Sequence, residues 1–414
     1  MKKRVVITGH GLVCPIGNSV EESFSNALKG KNGIDFIKSF DTEQWKVKIG
    51  GEIKDLDYEK FIEKKSIKRQ DKVINIALIA AKEAYKKSGL KKEDIKDPFR
   101  FGTFIGSGIG GLTTINRETE ISVVRHPSRM SPFFIPASII NLIGAAVSLE
   151  FQAKGPNLPI VTACSAATNS MGEAFRYIRD GYLDLAFAGG SEAPINTIGV
   201  NGFANMRALS MESDPNKASL PFDKRRAGFV IAEGAGVFIF EEYEHAKKRG
   251  ANILAEVVGY GTTSDAYHIT APDVNAEGVS RALNEALIDA NISPNKIDYI
   301  NAHGTGTPLN DKYETLGIKK VFGDHAKKIN ISSTKSMTGH ALGASGAIES
   351  VFAVEALRTS KIPPTINYKE KDPDCDLNYT PNSYVERNID YAINMNLGFG
   401  GQNAVMIFKR YKND

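Results

Sequence analysis

Four side chains that can do covalent chemistry stand in turns made of small residues. Cys164 lies in Ile160-Val161-Thr162-Ala163-Cys164-Ser165-Ala166-Ala167-Thr168-Asn169, where an apolar run breaks into a sharp turn that opens a helix. A cysteine there sits at the positive end of the helix dipole, which favours thiolate over thiol. Most lone cysteines are packing residues, but the small neighbours of this one leave room for a substrate. His303, in Asn301-Ala302-His303-Gly304-Thr305-Gly306-Thr307-Pro308, occupies an equally open turn. So does His340, in Ser333-Thr334-Lys335-Ser336-Met337-Thr338-Gly339-His340, with Lys335 just ahead of it. Gly398-Phe399-Gly400-Gly401 adds a loop whose glycines let a backbone amide approach a developing oxyanion. A nucleophilic thiol with two imidazoles and such a donor is equipped for acyl transfer through a covalent intermediate.

Such turns work together only if a scaffold delivers them to one place. Strand-like stretches at 4–7, 101–105, 158–162, 185–188 and 237–240 alternate with helical ones at 19–28, 72–88, 137–149 and 166–179. This alternation predicts an α/β sheet packed between helices. An internal echo adds a second constraint. The helix end and linker at 83–95 align without a gap on 285–297, and each leads into a strand with a glycine-rich loop, 106–111 in one case and 304–307 in the other. The strand starts at 4–11 and 253–261 pair as well. The chain reads as a duplicated α/β unit with its seam near Gly250, giving halves 1–250 and 251–414. The polar stretches 210–227 and 262–273 lack periodicity and read as surface loops, the second carrying Thr270.

Bulk properties narrow the class further. A net charge of +4 spread over 414 residues gives no argument for nucleic acid. Cys14, Cys164 and Cys375 are scattered singly, so neither a disulfide framework nor a metal site is expected, and a reducing compartment fits. The most apolar stretch, 137–149, is too short for a bilayer and carries Ser138, Asn141 and Ser148, so no membrane association is expected.

The four motifs, in this order and spacing, resemble those of the condensing enzymes of fatty-acid synthesis, the β-ketoacyl-acyl carrier protein synthases of the thiolase superfamily. The elongating synthase II type is the nearest match. The resemblance implies a thiolase-like duplicated five-layer α-β-α-β-α fold working as a homodimer, in the cytoplasm or, after loss of a transit peptide, the plastid stroma. It implies that Cys164 takes an acyl chain from acyl carrier protein and that His303 and His340 assist decarboxylation of the malonyl partner. Lys335 would orient the His340 loop, with Glu349 supporting the network. The amides of Cys164 and Phe399 would form an oxyanion hole, with the Phe399 ring as a gate. Ile109, Phe134, Thr270, Thr305 and Thr307 would contact substrate, with Phe134 or its neighbour Phe133 reaching across from the partner subunit. No cofactor is implied, because both acyl groups arrive on phosphopantetheine. Acyl carrier protein is acidic, so Lys64, Lys65, Lys68, Arg69, Arg129 and Arg207 are expected to dock it.

Leu397 and Gln402 flank the glycine loop where Phe, and Thr or His, are more usual, which bears on the gate and not on the reaction class. A thiolase would need a second catalytic cysteine in a glycine-rich turn, whereas Cys375 stands among Asp372, Asp374 and Asp376. A polyketide-type ketosynthase stays open as an alternative. A non-catalytic chain-length subunit is disfavoured by the presence of Cys164.

Overall fold

The computed structural model describes residues 2–412. Its core is one sheet of strands β1 (Val5–Val13), β2 (Phe101–Gly106), β3 (Leu185–Glu192), β4 (Gly234–Glu242), β5 (Ala255–Ser264), β6 (Tyr299–Asn301), β7 (Asn330–Ser332), β8 (Tyr391–Gly398) and β9 (Gln402–Arg410). The spatial order is β2-β3-β4-β1-β5-β9-β8-β6-β7. Outward from the β1–β5 junction both sides repeat one pattern. On one side β4 and β3 pair antiparallel and β2 parallel. On the other β9 and β8 pair antiparallel and β6 parallel. Strand β7 extends the second side, and its counterpart shrinks to a parallel bridge between Asn157 and Thr103.

Five helices complete the layers: α1 (Lys72–Ser88), α2 (Ala166–Arg179), α3 (Glu277–Ala290), α4 (Pro308–Phe322) and α5 (Ser345–Thr359). One apolar core joins α2 and α5 to the inner faces of both halves of the sheet. A second packs α1 on one outer face, and a third packs α3 and α4 on the other. The result is the α-β-α-β-α sandwich. Helix α5 is buried from Ser345 through Leu357, as a central layer requires. It meets α2 so closely that a Cβ on Gly346 would lie 2.0 Å from Thr168 Oγ1.

The echo in the sequence is structural. Helix α1 ends in Gly89 and α3 in Asn291, both left-handed, and one-turn 3-10 helices follow at Lys92–Asp94 and Pro294–Lys296. Gly11 presses on α1 at the Ala80 carbonyl and Gly261 on α3 at the Ala282 carbonyl, where a Cβ would come within 2.0 and 2.1 Å. A side chain at either position would push helix from sheet.

Three local expectations give way. The apolar run 158–162 is not a strand, because Pro156 and Pro159 remove two donors. What survives is Thr103 N–H to Pro156 O and Leu158 N–H to Thr103 O. The helix expected over 137–149 is two, Phe134–Ser138 and Asn141–Phe151, since the Ser138 carbonyl accepts Gly111 N–H instead of continuing the turn. The stretch 210–227 is only partly surface. Phe222 stacks on Tyr379 at 4.0 Å, and fully buried Asp223 accepts the N–H groups of Lys369 and Glu370. Among the described residues no helix is long and apolar enough to cross a membrane.

Candidate active site

The duplication explains why distant residues meet. Cys164 lies in the one-turn 3-10 helix Ala163–Ser165 that leads into α2, and His340 stands just ahead of the corresponding turn, Leu342–Ala344, that leads into α5. His303 follows β6 as the 107–111 loop follows β2, and Phe399 follows β8 as Ala193 follows β3. These strand ends open into one cavity of about 410 Å³, whose wall includes Cys164, His303, His340, Phe399, Thr305 and Thr307.

The turn that presents the thiol is strained. Ala163 is left-handed at φ 50°, which costs a residue with a Cβ about 1 kcal/mol. The turn is held by Asn169 Nδ2 on Thr162 Oγ1 at 2.7 Å, and by Tyr260 O–H on Asn169 Oδ1 at 2.6 Å. Cys164 Sγ then lies 3.1 Å from His340 Nε2, and His340 Nδ1 lies 2.9 Å from Ser345 Oγ. The His303 ring stands edge-on to His340, with centroids 5.2 Å apart. His340 is fixed through its backbone, donating to Val230 O and accepting from Ala232 N–H, while the Phe229 ring braces its imidazole.

Lys335 is placed differently from its expected role. Its Nζ donates to His303 O at 2.6 Å, lies 3.4 Å from His303 Nδ1 and pairs with buried Glu349, so the side chain serves His303 and not the His340 loop. Asn396 Nδ2 also faces His303 Nδ1 at 3.3 Å and binds Glu349 at 2.7 Å. Two donors aimed at Nδ1 make that nitrogen the acceptor and place the imidazole proton on Nε2. Burial first, and the Lys335 charge second, hold both histidines well below the ordinary imidazole range, so they are neutral at pH 7.

Burial also pushes the Cys164 thiol up to about 12, against the pull of Lys335 and of the Phe399 N–H directed at the sulfur. The thiolate expected at a helix N-terminus is therefore not the resting form. A neutral His340 Nε2 at 3.1 Å is placed to take the proton as the sulfur attacks. The Sγ of Cys164 and a ring nitrogen of each histidine lie within 4.8 Å of one another, close enough to share one reacting group.

Beneath the His303 turn lie two acids that the sequence did not single out. Glu314, fully buried on α4, accepts the N–H groups of His303 at 2.6 Å and Gly304 at 2.7 Å. Asp311 accepts those of Phe222 and Gly306. Burial raises Glu314 to about 8. Because its folded value lies above the unfolded one, the stability it contributes is present in acid and is lost as pH rises through about 8. The melting temperature of the wild type, followed by calorimetry, is expected to fall more steeply than that of Glu314→Gln between about pH 5 and pH 8, and to level off above that. Parallel curves would count against it.

The remaining expected residues divide. Thr305 and Thr307, with Oγ1 atoms 2.9 Å apart, line the cavity, as do Thr270 and Arg207. Leu397 lines it too, while Gln402 does not. Ile109 stands behind the wall, in an apolar cluster with Phe229 and Leu342. Phe134 lies partly buried on its own short helix, and Phe133 lies under the Arg69 guanidinium at 4.7 Å; neither lines this cavity. Lys64 pairs with Glu59, and Lys64, Lys65, Lys68, Arg69 and Arg129 are also absent from the wall.

Known proteins share this architecture across its full length. The chain is 48% identical over 412 residues to the 3-oxoacyl-[acyl-carrier-protein] synthase 2 of Staphylococcus aureus (strain N315), covering 99% of each. It is 46% identical over 410 residues to the protein of that name from Coxiella burnetii, again covering 99% of each. Among solved structures, it matches the ishigamide ketosynthase/chain length factor at TM-score 0.94 and 34% identity. It matches a type II PKS ketosynthase, in complex with its acyl-carrier protein and bound to the hexaketide, at 0.92 and 35%. All of this chain and all of each of those two chains are covered. The model of the beta-ketoacyl synthase N-terminal domain takes up residues 2–246 and that of the C-terminal domain residues 254–369, so the chain belongs to the beta-ketoacyl synthase family.

Proposed function

We propose that the chain is an elongating 3-oxoacyl-[acyl-carrier-protein] synthase built of halves 1–250 and 251–414. The observation that carries this is Cys164 Sγ 3.1 Å from His340 Nε2, with His303 beside them in one cavity. Cys164 attacks an acyl thioester on acyl carrier protein, His340 takes the thiol proton, and that proton leaves on the carrier's thiol. Malonyl-acyl carrier protein then enters. Its carbon–carboxylate bond breaks to release carbon dioxide, and the electron pair forms an enolate whose oxygen is stabilised by the Nε2–H of His303. The enolate carbon attacks the Cys164 thioester. The tetrahedral oxygen is held by the amides of Cys164 and Phe399, and the cysteine sulfur departs as thiolate and takes a proton from solvent. No cofactor of the chain enters this sequence.

Incubation with acyl- and malonyl-acyl carrier protein, read by mass spectrometry, tests the proposal. A 3-oxoacyl product two carbons longer is expected. Repeated extension without reduction would favour the polyketide reading, which the two ketosynthase structures also support.

Docking of the acidic carrier is assigned to Arg207 at the cavity mouth and to the Lys64, Lys65, Lys68, Arg69 and Arg129 surface. Changing Lys65 and Arg69 to Glu is expected to raise KM for the carrier-bound substrate by about tenfold with kcat little changed, and to weaken its salt dependence. Unchanged kinetics would place docking elsewhere. A homodimer would cover the exposed Val123, Val124, Ile135 and Leu149 and bring Phe134 toward the partner's cavity. Sedimentation at twice 45.0 kDa is expected, and sedimentation as a monomer would overturn it.

A further inference from the structure

Glu192 ends β3 at 0% exposure, and among the described residues no basic side chain bonds to its carboxylate. Four donors converge on it instead. Oε1 accepts Ser107 O–H at 2.9 Å and Ile109 N–H at 3.1 Å. Oε2 accepts Gly108 N–H at 2.5 Å and Gly343 N–H at 3.0 Å. Ser107 Oγ in turn accepts Gly110 N–H at 3.1 Å, which extends the clasp through the loop. The fit leaves no slack. A Cβ on Gly343 would lie 2.2 Å from Gly108 N and 2.6 Å from Glu192 Oε2, so the two segments meet across this carboxylate and nowhere looser.

The two segments it joins carry the cavity's apolar wall. Gly343 follows Leu342, which together with Phe203 and Phe229 faces the cavity. Ile109 backs that layer in one apolar cluster with Leu342, Phe229, Ile195 and Val200. An acyl chain too long for the cavity can be seated only by pushing the front layer into the layer behind it. Backbone bonds from one carboxylate to both layers oppose that movement.

The geometry assigns Glu192 as a positioning residue that locks the Ile109 loop to the Leu342 segment and thereby sets the length of acyl chain the cavity admits. It makes no hydrogen bond to the thiol or the histidines. Its charge reaches the Cys164 thiol at a distance, alike for every primer, so a ratio between primers reads the wall alone. The assignment rests on the condensing activity proposed above.

The test is Glu192→Gln. Whichever oxygen becomes the amide nitrogen then faces two N–H or O–H donors, and the clasp opens on that side. Condensation would be measured with hexanoyl and tetradecanoyl primers on acyl carrier protein, with amide hydrogen exchange at Gly108, Ile109 and Gly343 alongside. The ratio of kcat/KM for the long primer to the short one is expected to rise by about fivefold or more, the factor set by one lost hydrogen bond, with faster exchange at the three amides. Ser107→Ala removes one donor at no gain in size and is expected to shift the ratio the same way by less, which keeps the test intact if Glu192→Gln folds poorly. Equal losses at both lengths, or an unchanged ratio in both variants, would overturn the assignment. Failure of the wild type to condense either primer would instead overturn the activity on which it rests.

Discussion

Replacing Cys164 with alanine is expected to lower condensation by more than about 10³-fold, since residues acting as one catalytic unit fail together when the nucleophile is lost. The fold should survive. The side chain loses one sulfur at the edge of an open cavity, a packing loss on the order of 1 kcal/mol. The same sulfur should be the one that a limiting alkylating agent finds first, as peptide mapping would read. Burial pushes Cys14 up to about 11 and Cys375 up to about 12, and neither lines the cavity or has an imidazole in contact. Cys164 is as reluctant to ionise at rest, but it has His340 at 3.1 Å and is reached from solvent. Selective labelling would therefore report the base beside the thiol and not an intrinsically low thiol pKa. Dominant label on Cys14 or Cys375 would remove the case for a nucleophile at Cys164.

Residues in small-residue turns were legible because their setting is local. Cys164, His303, His340 and Phe399 each follow a strand or precede a helix with a glycine, alanine or serine on both sides, and that pattern survives in one dimension. The duplication was legible too, since Gly89 and Asn291 end equivalent helices and Gly11 and Gly261 meet equivalent carbonyls. What was hidden depends on which side of an element faces inward. Asp311 and Glu314 stand among Lys312, Lys319 and Lys320 with nothing local to mark them, yet they share the buried stripe of α4 with Ile318 and Phe322. Their spacing from those apolar residues was the available signal. Asn396 left a fainter one, a second asparagine in an otherwise apolar strand. The target of Lys335 could not be read, because five residues along the chain from His340 say nothing about an amine that reaches across to His303. The strand expected at 158–162 failed for a simpler reason. Hydropathy records side chains, and the two prolines there act through missing backbone donors.

His303→Ala is expected to separate the two half-reactions. Lys335 Nζ and Asn396 Nδ2 both face Nδ1, so the ring carries its proton on Nε2, toward the cavity that His303 lines. A donor held there costs no reorganisation when charge develops on the malonyl thioester oxygen, and deleting one such donor lowers rates by roughly 10²–10³-fold. Release of carbon dioxide from malonyl-acyl carrier protein should fall by that factor. Transfer of the first acyl chain to Cys164, which relies on His340, should change by less than about tenfold. Neutrality sharpens the expectation. With both imidazoles held well below their ordinary range, the wild-type decarboxylation rate should show no acid limb near pH 6.5 and should decline only in more acidic solution, where the rings begin to bind a proton. Both quantities can be followed separately, carbon dioxide by isotope release and the acyl-enzyme by intact mass. A variant that decarboxylates at the wild-type rate, or one that loses acyl transfer to the same extent, would show that the Nε2 proton of His303 does not stabilise the enolate.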